Sequence, residues 1–264
     1  MHAGTRVRAH LLPAAAGTGV VFRREDLGGV EIHARYDHVG ETRLGTVVSG
    51  GGASVGVIEH LMAAVFGAGI HDLLIALDGP EPPILAGDAL SWLDVIDRAG
   101  TREQEGELRA IKVRKRVAVQ NGDASAALSP ADSLAFDFEI QFDSGAIGTQ
   151  PLFWIFSPAA FRREIAPART FGFVQELDAL RGAGLARGAS LENTLAIDHG
   201  CLRNPELQRF PDEFVRHKIL DAIGDLALAG APVIGRFEGR RSGHALNNLL
   251  LRALFADPAN YEIV

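Results

Sequence analysis

The chain has 264 residues, 47% of them hydrophobic and 22% charged, with a formal net charge of -7. A chain of that size buries a substantial core, but the acidic balance offers no global basic field, which argues against nucleic acid as a partner and requires placed cations for any anionic substrate. One cysteine, Cys201, excludes an internal disulfide, no apolar run approaches the ~18 residues of a bilayer span, and no signal-like start is seen, so the expected compartment is the cytoplasm, without membrane insertion.

In chain order, Thr5 to Leu12, Gly19 to Arg24, Val30 to His33 and Thr42 to Ser49 read as short strands of a meander, punctuated by Gly50, Gly51 and Gly52. A helix from Ile58 to Phe66 ends at glycine and leads into an apolar strand, Leu73 to Leu77. After the turn at Asp78 to Pro80 comes a short helix, Asp88 to Ala99, then the polar stretch Gly100 to Gly106. That stretch is the expected boundary between two domains, 1–105 and 106–264. Beyond it, Leu108 to Gln120, Ala124 to Leu128, Leu134 to Phe142 and Pro151 to Phe156 read as strands, the third with period-two alternation in LAFDFEIQF. A short helix at Ala159 to Ile165 and an irregular section through Asp198 follow. Then come a helix opening on an Asp212 N-cap, a strand Val233 to Phe237 and a last helix from His244 to Phe255. Strands followed by helices, twice, suggest two similar α+β domains, each a sheet layer with packed helices.

Chemistry-bearing residues fall in three places. In PDEFVRHKILDAIGD, Pro211 to Asp225, the residues His217, Asp221 and Asp225 are spaced by four and project from one helix face. Glu59-His60 lies at the start of the Ile58 helix, where adjacent side chains point about 100° apart and can serve one centre in different roles. SGHALNN, Ser242 to Asn248, carries His244 at a strand-to-helix junction. Together these supply ligands for a metal and further groups for proton traffic. Each motif alone also has an ordinary reading, as a surface ion pair or a helix cap.

The chain resembles the UDP-3-O-acyl-N-acetylglucosamine deacetylases, the zinc amidases of lipid A biosynthesis. The resemblance runs through IEHLMAAVFGAGI, DGPEPPIL, ARTFGF, ARGASLEN, FPDEFVRHKILDAIGD and SGHALNN. It implies an active site between the two domains, with zinc held by His60, His217 and Asp221, iron(II) being compatible with the same donors. It further implies Glu59 as general base, His244 as an imidazolium that stabilises charge and protonates the leaving amine, Asp225 as its orienting partner, and Thr170 as an oxyanion donor. The substrate implied is acylated UDP-N-acetylglucosamine, with Lys218 and Arg241 toward the diphosphate and Phe142 against uracil. Phe171 belongs to an insert, about 167–200, that forms a hydrophobic acyl passage. A monomer is expected.

The sequence departs from the family pattern in places. Relatives usually carry a strand and turn before the segment matching Met1 to Gly4. Either the start lies further upstream or the first domain lacks that edge strand, and in the second case His2, which matches a histidine near the family's site, is expected on an untethered and mobile terminus. Ala86 stands where the family usually has Asp, GGGASVGV lacks the usual lead into Glu59, and Gln141 replaces an acidic neighbour of Phe142. These departures leave a second reading open: a diverged paralogue that binds metal but deacetylates another N-acetyl sugar, or one that has lost turnover and serves as a binding protein.

Overall fold

The structure is a computed structural model and describes residues 2–264, so Met1 of the Met1 to Gly4 segment lies outside the described residues. The first half contains β1 (Ala9–Pro13), β2 (Val20–Arg24), β3 (Val30–His33), β4 (Val48–Gly50), β5 (Ala53–Val55), α1 (Glu59–Gly67), β6 (Leu73–Leu77) and α2 (Leu90–Ala99). Its main sheet is not the expected meander. The order is β1-β6-β2-β3, with β6 antiparallel to β1 and parallel to β2. The reason lies in β6 itself: LLIAL is apolar at every position, as an interior strand must be, whereas β3 alternates and takes the edge.

The strand expected over Thr42 to Ser49 is largely absent. Only Val48–Gly50 pairs, with β5, while residues 43–47 arch over the start of α1. Gly45 makes that arch possible, because it has φ of +148° and a Cβ there would lie 2.9 Å from a Glu59 carboxylate oxygen.

The second half begins with β7 (Ile111–Val113), β8 (Val117–Asn121), β9 (Ala124–Ser129), β10 (Ala135–Gln141) and β11 (Thr149–Ile155). The short helix α3 (Pro158–Ala160) runs into a π turn at Phe161–Ile165. β12 (Phe171–Phe173), α4 (Val174–Gly182), β13 (Leu195–Asp198) and β14 (Cys201–Leu202) follow. The chain ends with α5 (Glu213–Leu226), β15 (Val233–Ile234), β16 (Arg236–Arg240), α6 (His244–Ala256) and β17 (Tyr261–Ile263).

The five-stranded sheet is ordered β11-β10-β16-β9-β8. The alternation in LAFDFEIQF is realised in β10, where Phe136, Phe138 and Ile140 are buried against α5 while Asp137 and Glu139 face outward. The strand expected over Val233 to Phe237 is split: β15 joins β7 and β17 in a three-stranded sheet, and β16 enters the large one. Gly235 is the pivot, since a Cβ there would meet Val113 at 2.8 Å. The section expected to be irregular through Asp198 holds a small sheet, β12-β13-β14, and α4. Its strands are short and α4 buries no residue, so neither carried a readable apolar period.

α1 packs directly on α5 at the centre of the molecule, within one contiguous core drawn from both halves. Eight of the nine α1 residues are buried, as expected for a helix that is apolar nearly all round. The two helices approach closely at Gly224, where a Cβ would lie 2.0 Å from the Glu59 carbonyl oxygen. That contact sets Glu59 and His60 over the middle of α5.

Candidate metal centre

His60 comes from the first turn of α1, and His217 and Asp221 from successive turns of α5. All three are buried, and one ligand atom from each lies within 4.8 Å of the others. Asp221 Oδ1 is 3.4 Å from His217 Nε2 and 3.6 Å from His60 Nε2. Tetrahedral ligands at about 2.1 Å from a small cation stand roughly 3.4 Å apart, so the spacing suits a shared ion. Asp221 Oδ1 is buried and accepts no hydrogen bond from any of the described residues, which is costly unless a cation meets it. His217 Nδ1 donates to the Ala168 carbonyl at 3.1 Å, leaving the Nε2 lone pair free to ligate.

The electrostatics agree with that role. Burial pushes the His217 imidazole down to about 4, against the pull of Asp221 and with help from His60 and Lys218. It is neutral at pH 7, as a ligand must be. Burial would raise the Asp221 carboxyl, but Lys218 and then His217 hold it well below its ordinary value. Lys218 Nζ donates to Asp221 Oδ2 at 2.6 Å, and although burial works against its charge, Asp221 raises its pKa.

One turn further along α5, Asp225 has a different setting. Its Oδ1 accepts from the Thr46 hydroxyl at 2.5 Å, and its Oδ2 from His244 Nδ1 at 2.9 Å and Asn247 Nδ2 at 2.8 Å. Burial opposes charge on His244, yet Asp225, through its charge and its hydrogen bond, with Glu59 beyond, pushes the imidazole up to about 9. It is an imidazolium at pH 7. Glu59 Oε2 accepts from the Thr46 backbone N–H at 2.9 Å. Thr46 therefore ties the Glu59 carboxylate to the Asp225–His244 pair.

These groups open into a cavity of about 350 Å³ whose wall includes Glu59, His60, His217, Lys218, Asp221 and His244, with Thr170, Phe142 and Phe171 across from them. Thr170 is held by its N–H on the Gly87 carbonyl at 2.8 Å, in the loop that carries Ala86. Phe171 stands edge-on to Phe142, Phe214 and His217, with centroids 5.6, 5.1 and 6.2 Å away, so it walls the metal cluster. Val57, at φ 55°, makes a strained turn into α1 beside them.

Two sequence expectations change. Arg241 does not line the cavity; its guanidinium is bound to Gln141 Oε1. His2 is not loose: its N–H donates to Glu81 at 2.9 Å, its Nε2 to the Leu44 carbonyl at 2.9 Å, and its Nδ1 accepts from Ala186 at 3.0 Å. Those bonds tie the N-terminal segment to the cavity rim at Leu44. Residues missed in the sequence are Thr46, which lay within an expected strand, Asn247, and Arg43, a cation on the cavity wall. Only the final Asn-Asn pair after His244 hinted at any of them.

A family model described as UDP-3-O-acyl N-acetylglycosamine deacetylase matches residues 1–256. Among similar proteins, the UDP-3-O-acyl-N-acetylglucosamine deacetylase of Phenylobacterium zucineum is 50% identical, the alignment covering 100% of this chain and 91% of the relative. Deacetylases of the same name from Myxococcus xanthus and a Nitratiruptor species are 47% and 44% identical, covering 100% of this chain and 84% and 88% of the relatives.

Proposed function

The chain belongs to the UDP-3-O-acyl N-acetylglycosamine deacetylase family, and from that premise we propose that it hydrolyses the N-acetyl amide of UDP-3-O-acyl-N-acetylglucosamine, releasing acetate and the free amine for lipid A biosynthesis. The observation that carries this reading is the meeting of Glu59-His60 from α1 with His217 and Asp221 from α5 at one cavity. His60, His217 and Asp221 would hold a divalent cation, zinc by the nitrogen and oxygen donor set, with iron(II) compatible. When bound, such an ion supplies Lewis acidity, polarising the amide carbonyl and lowering the pKa of water.

The protein's own groups supply the rest. Glu59, its carboxylate steadied by the Thr46 N–H, takes the proton from the attacking water. Thr170 presents its hydroxyl to the oxygen on which charge develops. An amide nitrogen leaves only when protonated, and His244, charged at neutral pH and aimed by Asp225, supplies that proton. Phe142 offers a face for uracil, and Phe171 bounds the reacting end of the acyl passage. Lys218, whose ammonium is bound to Asp221, fixes that ligand as well as lending positive charge. Arg43, on the cavity wall, offers a further cation for the diphosphate beside Arg241.

We read the chain as two units, 1–105 and 106–264, with the site between them, and as a cytoplasmic monomer. Among the described residues no helix is long and apolar enough to cross a membrane. The test is acetate release from the acylated UDP sugar by purified protein, lost on chelation and restored by about one equivalent of metal. Metal binding without turnover of the acylated UDP sugar would sink this reading in favour of a diverged paralogue, one that deacetylates another N-acetyl sugar or serves as a binding protein.

A further inference from the structure

We propose that Glu213 is a positioning residue of the metal centre, acting on His217 through a single peptide group. The proposal rests on the reading of His217 as a metal ligand. Glu213, His217, Asp221 and Asp225 follow one another at intervals of four along α5, and all are buried, Glu213 completely. The Glu213 carboxylate accepts from the backbone N–H of Arg169 at 2.9 Å, of Phe210 at 3.1 Å and of Arg209.

The Arg169 N–H belongs to the same peptide group as the Ala168 carbonyl, and that carbonyl accepts from His217 Nδ1 at 3.1 Å. Carboxylate, peptide and imidazole therefore form one series of hydrogen bonds ending at His217 Nε2. Bonds in such a series polarise one another. A carboxylate at the N–H end makes the carbonyl oxygen a stronger acceptor, which holds the proton on Nδ1 and enriches Nε2 for ligation.

Simple loop anchoring does not account for this arrangement. The loop already has a separate tether, the Arg209 guanidinium on the Pro167 carbonyl and on Asp88, each at 2.5 Å. His60, by contrast, has a buried Nδ1 without a partner among the described residues, so within this pair those residues fix the tautomer of His217 alone.

The test compares full-length wild type, Glu213→Gln and Asp88→Asn for cobalt(II) and zinc affinity by chelator competition. Glu213→Gln should lower affinity roughly tenfold to a hundredfold, while Asp88→Asn, which weakens the separate tether and touches the Ser91 N–H bond at the start of α2 but leaves the Glu213 series intact, should leave it nearly unchanged. In case Glu213→Gln does not fold, the wild-type protein provides a second readout. On addition of zinc, which is diamagnetic, the Arg169 amide proton should move downfield, while that of Phe210, bonded to the same carboxylate outside the series, should hold still. Equal affinity in Glu213→Gln and wild type, parallel losses in both variants, or equal movement of the two amides would overturn the proposal. Wild-type protein that binds neither cation would instead bring down the ligand reading on which it rests.

Discussion

Asp221 and Asp225 lie one turn apart on α5 and are almost equally buried, yet their oxygens are used in opposite ways. Asp221 gives one oxygen to Lys218 and leaves the other bare before two imidazole nitrogens. Asp225 has both oxygens filled by Thr46, His244 and Asn247. A carboxylate with an unfilled oxygen is free to ligate, whereas a saturated one can only orient and charge its neighbours. The histidines divide the same way, His217 pushed down to about 4 and His244 up to about 9. Groups of one kind forced apart in pKa are how a single site obtains both a ligand and an acid.

The most severe way to break the contrast is at the ligand turn. His217→Ala should abolish stoichiometric metal binding and with it turnover, read by elemental analysis and acetate release. Asp225→Ala should retain the metal while kcat falls roughly 10²- to 10⁴-fold, the usual contribution of a positioned acid. Equal metal loss in the two variants would erase the distinction between the turns. Thr46→Val removes a donor to Asp225 but keeps the N–H to Glu59, so a kcat loss of about tenfold with unchanged metal content is expected.

The mildest probe is pH, applied to metal-free protein by urea midpoints. His244 has a raised folded pKa, so its pairing with Asp225 contributes fully below about 6.5 and is lost as pH rises through about 9. His217 has a depressed one, so the unfolded chain gains its proton first and stability drops as pH falls from about 6.5 toward 4. His244→Gln should flatten the alkaline limb alone, and His217→Asn the acidic limb alone. In the metal-loaded enzyme, turnover should decline on the alkaline side as His244 gives up its proton, at a lower pH than in metal-free protein because the dication disfavours a second positive charge.

Much of this site was legible in the chain. The four-residue spacing on α5 placed His217, Asp221 and Asp225 on one face, and α5 formed over nearly the expected range. Even there one detail differed: Asp212 stands at the N-cap, but its side chain binds Arg216 at 2.6 Å instead of a helix N–H. Thr46 could not be read, because its neighbours Val47 and Val48 resemble a strand and its partners Glu59 and Asp225 are 13 and 179 positions away. Lys218 and Arg241 were both available as cations for a substrate, and only the packing spends the first on Asp221 and turns the second toward Gln141.

By itself the sequence determined which side chains share a helix face, since the α-helical period is a local property of the backbone. It also determined the β10 alternation and, by likeness, the family. The tertiary structure alone decided which carboxylate stays open and which is saturated. That choice depends on donors from α6, which packs directly on α5, and from a distant arch, held over α5 by way of Glu59 because Gly224 lets α1 come into backbone contact. Hydrogen bonds reach only about 3 Å, so no pattern along the chain records them until the helices have packed.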